Sequence, residues 1–163
     1  MSDAIDKHAL IRELSALLEQ EIARATETAH SAQAGAVHEE ARPEHDKDTR
    51  AIEASYLARG QAQRVVDLQA AAKQLAFMEV RAFGPDADIG LSALIELEST
   101  EGTRWYLLAA AGGGRRIACA GQTVDVLTPE SPLGRALAGR RQGDELVFRA
   151  GGRERELSIL RVL

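Results

Sequence analysis

The chain has 163 residues, of which 45% are hydrophobic but only 4% aromatic, and its formal net charge is −5. This length suits one ordinary domain, or a small domain with an extended element, and the shortage of large side chains argues against a single large core. The acidic charge excludes a dedicated nucleic-acid binder, which carries a basic surface. A lone cysteine, Cys119, excludes a disulfide framework and indicates a reducing compartment. Because signal-peptide and membrane-length apolar runs are both missing, we expect a soluble cytoplasmic protein.

Two apolar seams, each with steps of three and four residues, run through the first half of the chain. Such steps are typical of helices that pack along a heptad repeat. The first seam comprises Ile11, Leu14, Leu18, Ile22, Ala25, Ala29, Ala32 and Ala36. The second seam comprises Ala51, Ala54, Ala58, Gln61, Val65, Leu68, Ala72 and Leu75. We therefore predict two long helices.

The segment between the seams predicts a tight reversal of the chain. Pro43 cannot continue a helix, and either Asp46 or Asp48 is placed to cap the second helix. The seams are nearly symmetric about this segment, so folding there pairs leucines at the base and alanines near the tip. We predict an antiparallel coiled-coil hairpin over residues 1–82. Its arms would be roughly 50 Å long, with a tip at about residues 42–48.

The composition changes sharply at Phe83. One proline and two glycines precede it, whereas three prolines and twelve glycines follow. This change predicts a domain boundary with Gly84-Pro85-Asp86 as the junction. Short alternating segments follow, with a helical segment over 132–138, and Ala150-Gly151-Gly152-Arg153 suits a turn between the last two strands. We predict an α+β domain over 83–163, with about five or six strands and one short helix.

The predicted tip is the first candidate for chemistry. Five carboxylates fall within ten positions there, among them Glu44, Asp46 and Asp48. Clustered carboxylates repel one another unless a cation relieves them, and Mg²⁺ is the hard cation suited to a few carboxylates and water. A loop held at the end of a long rod is expected to reach a target, so we predict a functional tip. The alternative is a merely solvated loop, because Arg42, Lys47 and Arg50 dilute the charge.

A proline-framed loop over 128–139 is the second candidate. Ser131 is a good helix N-cap and Pro132 a good first helical residue, which predicts a strand, a rigid loop and a capped helix. Local structure alone explains much of this pattern. The two prolines and Glu130 on an exposed turn also predict a preformed contact surface.

The segment from Ser131 to Leu137, read as SPLGRAL, is followed by Gly139, by Gly143-Asp144 and by the closing strands. In this it resembles the C-terminal domain of the bacterial Gre transcript cleavage factors. The hairpin before it resembles the N-terminal coiled coil of the same family. Both parts occur in the family's order and lengths, so the resemblance covers nearly the whole chain.

The resemblance implies an FKBP-like domain that docks on bacterial RNA polymerase at the rim of its secondary channel, through Glu130, Ser131, Pro132 and Leu133. It also implies that the hairpin enters this channel and brings its tip carboxylates to the polymerase active centre. In the family, such acids help to hold a Mg²⁺ ion shared with the polymerase and to orient a water that cleaves backtracked RNA. We thus expect a monomeric accessory factor of transcription elongation, not an enzyme alone. It would meet nucleic acid only through the elongation complex.

The tip departs from the family pattern, which has an aspartate and a glutamate three residues apart. Alignment on Ala58-Arg59 places Asp48 at the aspartate, whereas Ala51 takes the place of the glutamate. We therefore expect Asp48, with Asp46 or Glu44, to bind the metal and support catalysis. The alternative is a non-cleaving regulator or inhibitor that occupies the channel with the same architecture.

Two further alternatives come from other classes of protein. An FKBP-like fold suggests a prolyl isomerase, but that activity needs an aromatic-lined pocket. Trp105 and Tyr106 are adjacent on a predicted strand and would point to opposite faces. The remaining alternative is a plain coiled-coil scaffold.

Overall fold

The computed structural model describes residues 5–41 and 47–163, with the side chains of Lys47 and Asp48 left out. Two long helices come first, α1 (Lys7–Glu40) and α2 (Lys47–Ala76). They form the helical hairpin that the two seams predicted. At ~1.5 Å per residue, each helix is roughly 45–50 Å long.

Burial along both helices follows the predicted seams. Every one of the sixteen seam residues is buried or half-buried, including Leu18, Ala25 and Ala36 on α1. Between the seam positions of α2 the side chains are mostly exposed, as expected for a helix with one apolar face. The heptad prediction is confirmed.

The second half of the chain forms a six-stranded sheet with one short helix, as predicted. The elements are β1 (Leu94–Ser99), β2 (Gly102–Leu108), β3 (Arg116–Cys119), β4 (Gln122–Leu127), α3 (Pro132–Leu137), β5 (Glu145–Ala150) and β6 (Arg153–Val162).

The strand order is β3-β4-β2-β1-β6-β5. Neighbouring strands are antiparallel except for β2 and β4, which run parallel. Gly151 and Gly152 join β5 to β6 with φ angles of 58° and 73°, and Ala150 pairs with Arg153. Two consecutive residues with positive φ define the type I′ hairpin turn, so the predicted turn is confirmed.

The chain divides into two compact units, which we name the hairpin unit (Ala16–Lys73) and the sheet unit (Met1–Ser15 with Gln74–Leu163). In the sheet unit, the start of α1 packs closely on the loop after β2. A Cβ atom added to Gly112, whose φ is +85°, would lie 3.0 Å from Leu14 Cδ1. Leu10, Leu14 and Leu75 are fully buried in this unit.

Two hydrogen bonds, each donated by a backbone N–H group, connect the segment after α2 to the rest of the sheet unit. The Arg81 N–H donates to Ser92 Oγ at 2.8 Å, and the Ala110 N–H donates to Met78 Sδ at 3.3 Å. Ser92 is fully buried and has a φ of 69°, a left-handed conformation that is uncommon without glycine. These bonds fix the path of the chain into β1.

A cluster of buried side chains packs α3 on the sheet and forms the main core. It contains Ile95 and Leu97 of β1, Leu108 of β2, Leu137 of α3 and Ile159 of β6. This core supports the loop between β4 and α3, which carries the residues predicted to dock on a partner.

Candidate functional site

The backbone at the tip places Asp48 as the second residue of α2. Asp46 or Asp48 was predicted to cap this helix. The prediction is wrong for Asp48, because this residue lies inside the helix. Asp46 and Glu44, the other acids predicted to act there, lie outside the described residues. The roles predicted for Asp48, Asp46 and Glu44 in catalysis and metal binding stay predictions.

Ala51 occupies the half-buried seam of α2, one turn after Asp48, whereas Glu53 is exposed. A carboxylate at position 51 would lose part of its hydration against the seam, which carries a free-energy cost. An alanine there suits helix packing. Asp46 and Glu44, which precede α2 in the sequence, remain the predicted partners of Asp48.

Among residues 5–41 and 49–163, no group of three or more His, Cys, Asp or Glu side chains is placed to hold a metal. The sequence at the tip supplies oxygen donors, which suit Mg²⁺. The predicted magnesium ligands Asp48 and Asp46 thus remain the candidates.

The loop from Thr128 to Gly134 has a well-defined hydrogen-bonded geometry. Ser131 caps α3, since its Oγ accepts a hydrogen bond from the Gly134 N–H at 3.1 Å. The same Oγ donates to the Thr128 carbonyl at 2.7 Å, and the Ser131 N–H donates to that carbonyl at 3.0 Å. Pro132 occupies the first turn of α3, where its missing N–H costs nothing. The predicted cap and first helical residue are confirmed.

Gly134 makes this loop possible. A Cβ atom at position 134 would lie 2.0 Å from the Thr128 carbonyl oxygen and 2.8 Å from Ser131 Oγ. Any other residue would therefore push the loop away from α3. Gly113 is also close, because its Cβ would lie 3.0 Å from Thr128 Cγ2.

The four residues predicted to dock on a partner differ in what they present. Glu130 and Pro132 are exposed, Ser131 is half-buried in its capping role, and Leu133 is half-buried against the main core. The surface offered to a partner is thus an acidic side chain beside a rigid pyrrolidine ring. Ser131 and Leu133 hold that surface in place.

A second loop contacts the far end of α3, and no sequence pattern predicted this contact. The Gly139 N–H donates to the Ile89 carbonyl at 3.0 Å, and the Ile89 N–H donates to the Arg140 carbonyl at 2.8 Å. Arg141 Nε lies 2.6 Å from Asp88 Oδ1, and this hydrogen bond raises the pKa of Arg141. Both side chains are more than half exposed, so the ion pair itself adds little stability.

A cavity of about 400 Å³ lies where β2 and β4 begin. Trp105 is its one aromatic lining residue, and the Arg161 guanidinium lies 4.8 Å from the centroid of that ring. Tyr106 packs on the opposite side against the main core, as predicted from its position next to Trp105. This cavity lacks the aromatic lining that a prolyl isomerase needs.

Among the known proteins compared with this chain, only solved structures are similar to it. No family model matches the chain, and no curated protein matches it. The chain is similar to GreA factor homolog 1 (Gfh1) of Thermus thermophilus, with 18% identity over 91% of this chain and 94% of that one and a TM-score of 0.38. Thermus aquaticus Gfh1 has 19% identity over 89% and 90%, with a TM-score of 0.38.

A prokaryotic transcription elongation factor, GreA/GreB from Nitrosomonas europaea, is also similar. It shares 19% identity over 66% of this chain and 88% of that one, with a TM-score of 0.35. In the described part of the chain, none of the helices has the length and apolar character needed to cross a bilayer.

Proposed function

We propose that this protein is a transcription elongation factor that binds bacterial RNA polymerase in its secondary channel and stimulates cleavage of backtracked RNA. The observation that carries this proposal is the pair of 34- and 30-residue helices, whose complete apolar seams lead to an acidic segment. Helices of this length separate their two ends by roughly 45–50 Å. The resemblance of the loop and hairpin sequences to the Gre factors supports the same conclusion.

The protein acts as an accessory to the polymerase active centre and is not an enzyme alone. Asp48, with Asp46 or Glu44, would help to hold a Mg²⁺ ion that the polymerase also binds. When bound there, this ion activates a water for attack on the RNA phosphodiester. The protein's own contribution is to position carboxylate oxygens. We expect no stable Mg²⁺ binding by the free protein, because two or three carboxylates alone hold this strongly hydrated ion weakly.

Docking at the channel rim is assigned to the loop that carries Glu130 and Pro132. The hydrogen bonds of Ser131 fix this loop before binding, so little conformational entropy is lost on docking. We propose that the protein acts as a monomer in the cytoplasm, where the polymerase works, and contacts nucleic acid only within the elongation complex.

A second candidate function is non-cleaving regulation or inhibition in the same channel. Ala51 favours it, because this half-buried seam position holds no carboxylate where the Gre pattern has glutamate. Such a factor would bind the polymerase equally well. The two candidates differ only in the chemistry at the tip.

Arrested elongation complexes with Mg²⁺ separate the two. We expect added protein to shorten the RNA, and Asp48→Ala to abolish shortening without weakening polymerase binding. Glu53→Ala is the matched control, since it removes an exposed acid on another side of α2 and should keep cleavage. Full-length RNA with normal polymerase binding would refute the cleavage function and favour regulation.

A further inference from the structure

The charged residues of the six strands divide unevenly between the two faces of the sheet. Alternate residues of a strand point to opposite faces, and residues paired across two strands share a face. The face of Tyr106 therefore carries Arg104, Arg116, Asp125, Arg153 and Arg155. The other face carries Glu96, Glu98, Glu145, Arg149, Glu154, Glu156 and Arg161. One face is thus mainly basic and the other mainly acidic.

Several charged side chains of the basic face lie near the Tyr106 hydroxyl. Arg104 hydrogen-bonds this hydroxyl, and the charges of Asp125 and Arg155 also act on it. Asp125 pairs with Tyr106 across the sheet and binds Arg116, so Arg116 is close as well. Burial raises the pKa of Tyr106, which keeps its hydroxyl neutral at pH 7. The arginines therefore gather near one point instead of being spread along the sheet.

The cavity of about 400 Å³ adjoins this cluster. The parallel pairing of β2 with β4 begins at Trp105 and Val124, so the residues just before them are not paired with one another. Polar side chains line the resulting gap, namely Thr103, Arg104, Arg116, Gln122, Thr123 and Asp125. Sites for small ligands have volumes of roughly 300–1,000 Å³. The cavity is thus large enough for a compact polar ligand.

The charge balance at the cavity favours an anion. Arg116 Nε donates to Asp125 Oδ1 at 2.8 Å, and an Arg104 Nη lies 3.8 Å from Glu101. Arg155 adds a third guanidinium nearby, so these three positive charges exceed the two negative ones. A guanidinium has five N–H donors, and a single ion pair therefore leaves others to bind a ligand.

We propose that this cavity binds a phosphate group of a small molecule, with Arg104 and Arg116 as its charged donors. Guanidinium groups bind phosphate oxygens through paired N–H donors, and the Thr103 and Thr123 hydroxyls supply further donors for the remaining oxygens. A carboxylate has only two oxygens and would leave more of these donors unused.

The arrangement of the arginines also argues for a small ligand. A single strand of nucleic acid is bound along a basic groove that follows its backbone, whereas Arg104 and Arg116 line one cavity. The site lies within the sheet unit. It does not depend on the proposed binding to polymerase, so either proposal can fail without the other.

Trp105 makes binding to the cavity measurable, because it is the one tryptophan of the chain and lines the cavity. The probe is pyrophosphate, added to the full chain at constant ionic strength and up to millimolar concentration. We expect a saturable change in tryptophan fluorescence, which gives the dissociation constant. If no saturable change occurs, and calorimetry detects no binding, the proposal is refuted.

Two arginine variants test which groups hold the phosphate. Arg116→Gln should weaken pyrophosphate binding about tenfold, because hydrogen bonds to a charged group are lost. Arg149→Gln is the matched control, since Arg149 forms a similar ion pair, with its Nε 2.9 Å from Glu154 Oε2, on the opposite face. The control should change binding less than about twofold. Equal weakening by both variants would indicate general attraction of the anion and would overturn the site.

Amide chemical shifts locate the site without any variant. Pyrophosphate should shift the amide signals of Thr103, Arg104 and Thr123, and shifts confined to other parts of the chain would contradict the proposal. Succinate that binds as tightly as pyrophosphate would overturn the assignment to phosphate. Tighter binding of a single-stranded RNA oligonucleotide would make nucleic acid the ligand and overturn the assignment to a small molecule.

Discussion

The sheet unit and the hairpin unit bury their apolar residues in different ways. In the sheet unit, Leu94, Ile95, Leu107 and Leu108 are almost completely buried. In the hairpin unit only Leu18 reaches that level, and none of the described side chains of α2 up to Lys73 is fully buried. Large side chains thus stabilise one unit, and mostly alanines line the other.

This difference in burial predicts a difference in stability between the two units. Burial contributes about 25 cal/mol per Å² of apolar area, and alanine has little area to bury. An alanine seam lets two helices approach closely at a modest gain in free energy. We therefore expect the hairpin unit to be the less stable of the two, whereas the sheet unit holds the loop from Thr128 to Gly134 on a closely packed core.

Truncation of one leucine in each unit should give the largest difference in stability loss between the two units. Leu108→Ala leaves a cavity in the main core and should lower the free energy of unfolding by about 2–5 kcal/mol. Leu68→Ala, on the half-buried seam of α2, should cost about 1 kcal/mol, because less area is lost. Urea unfolding followed by circular dichroism measures both. Equal losses would contradict the assignment of stability to the sheet unit.

The loop from Thr128 to Gly134 should tolerate almost no added volume at position 134. Gly134→Ala places a methyl group against the Thr128 carbonyl and should destabilise the sheet unit by about 3 kcal/mol. The temperature of thermal unfolding and the affinity for polymerase should both fall. Gly90→Ala is a control in the same unit, since its Cβ would meet nothing within 4 Å. A neutral Gly134→Ala variant would refute the tight loop.

Removal of the cap should have a smaller effect. Ser131→Ala loses the hydrogen bonds to the Gly134 N–H and the Thr128 carbonyl, and should cost about 1 kcal/mol. Ser131→Thr keeps a hydroxyl and should restore most of that loss. Thermal unfolding of both variants is the measurement, and the capping role fails if threonine is as damaging as alanine.

Glycines within the hairpin unit should respond in the opposite sense to Gly134. Gly35 and Gly60 lie inside α1 and α2, and a Cβ at either would meet nothing within 4 Å. Gly35→Ala and Gly60→Ala should each stabilise their helix by about 0.5–1 kcal/mol. Hydrogen exchange of the hairpin amides would show slower opening. Faster exchange would mean that these glycines have a role beyond helix formation.

Much of the fold could be predicted because its signals are local. Heptad steps from Ile11 to Leu75 predicted both helices, and the turn at Gly151-Gly152 predicted the last hairpin. The parallel pairing of β2 with β4 could not be predicted, because strand order depends on long-range packing. The same holds for the Asp88–Arg141 contact, whose residues are far apart in sequence.

The features of the candidate sites also divide into those that local sequence predicts and those that depend on the folded chain. Ser131 as a cap follows from adjacent residues, and the structure confirms it. The exposure of Tyr56 and Val66 was not predicted, since it becomes evident only once the seam of α2 is placed. The need for glycine at position 134 depends on a carbonyl six residues earlier that only the folded loop brings near.

The position of the tip in the elongation complex tests the central claim most directly. An iron chelate tethered through Thr49→Cys, in a Cys119→Ser background, generates hydroxyl radicals beside Asp48 and leaves that acid intact. We predict cuts in the polymerase at its active centre and in backtracked RNA near its 3′ end, with or without factor-stimulated cleavage. Cuts confined to the outer surface of the polymerase, with the protein bound, would contradict the account.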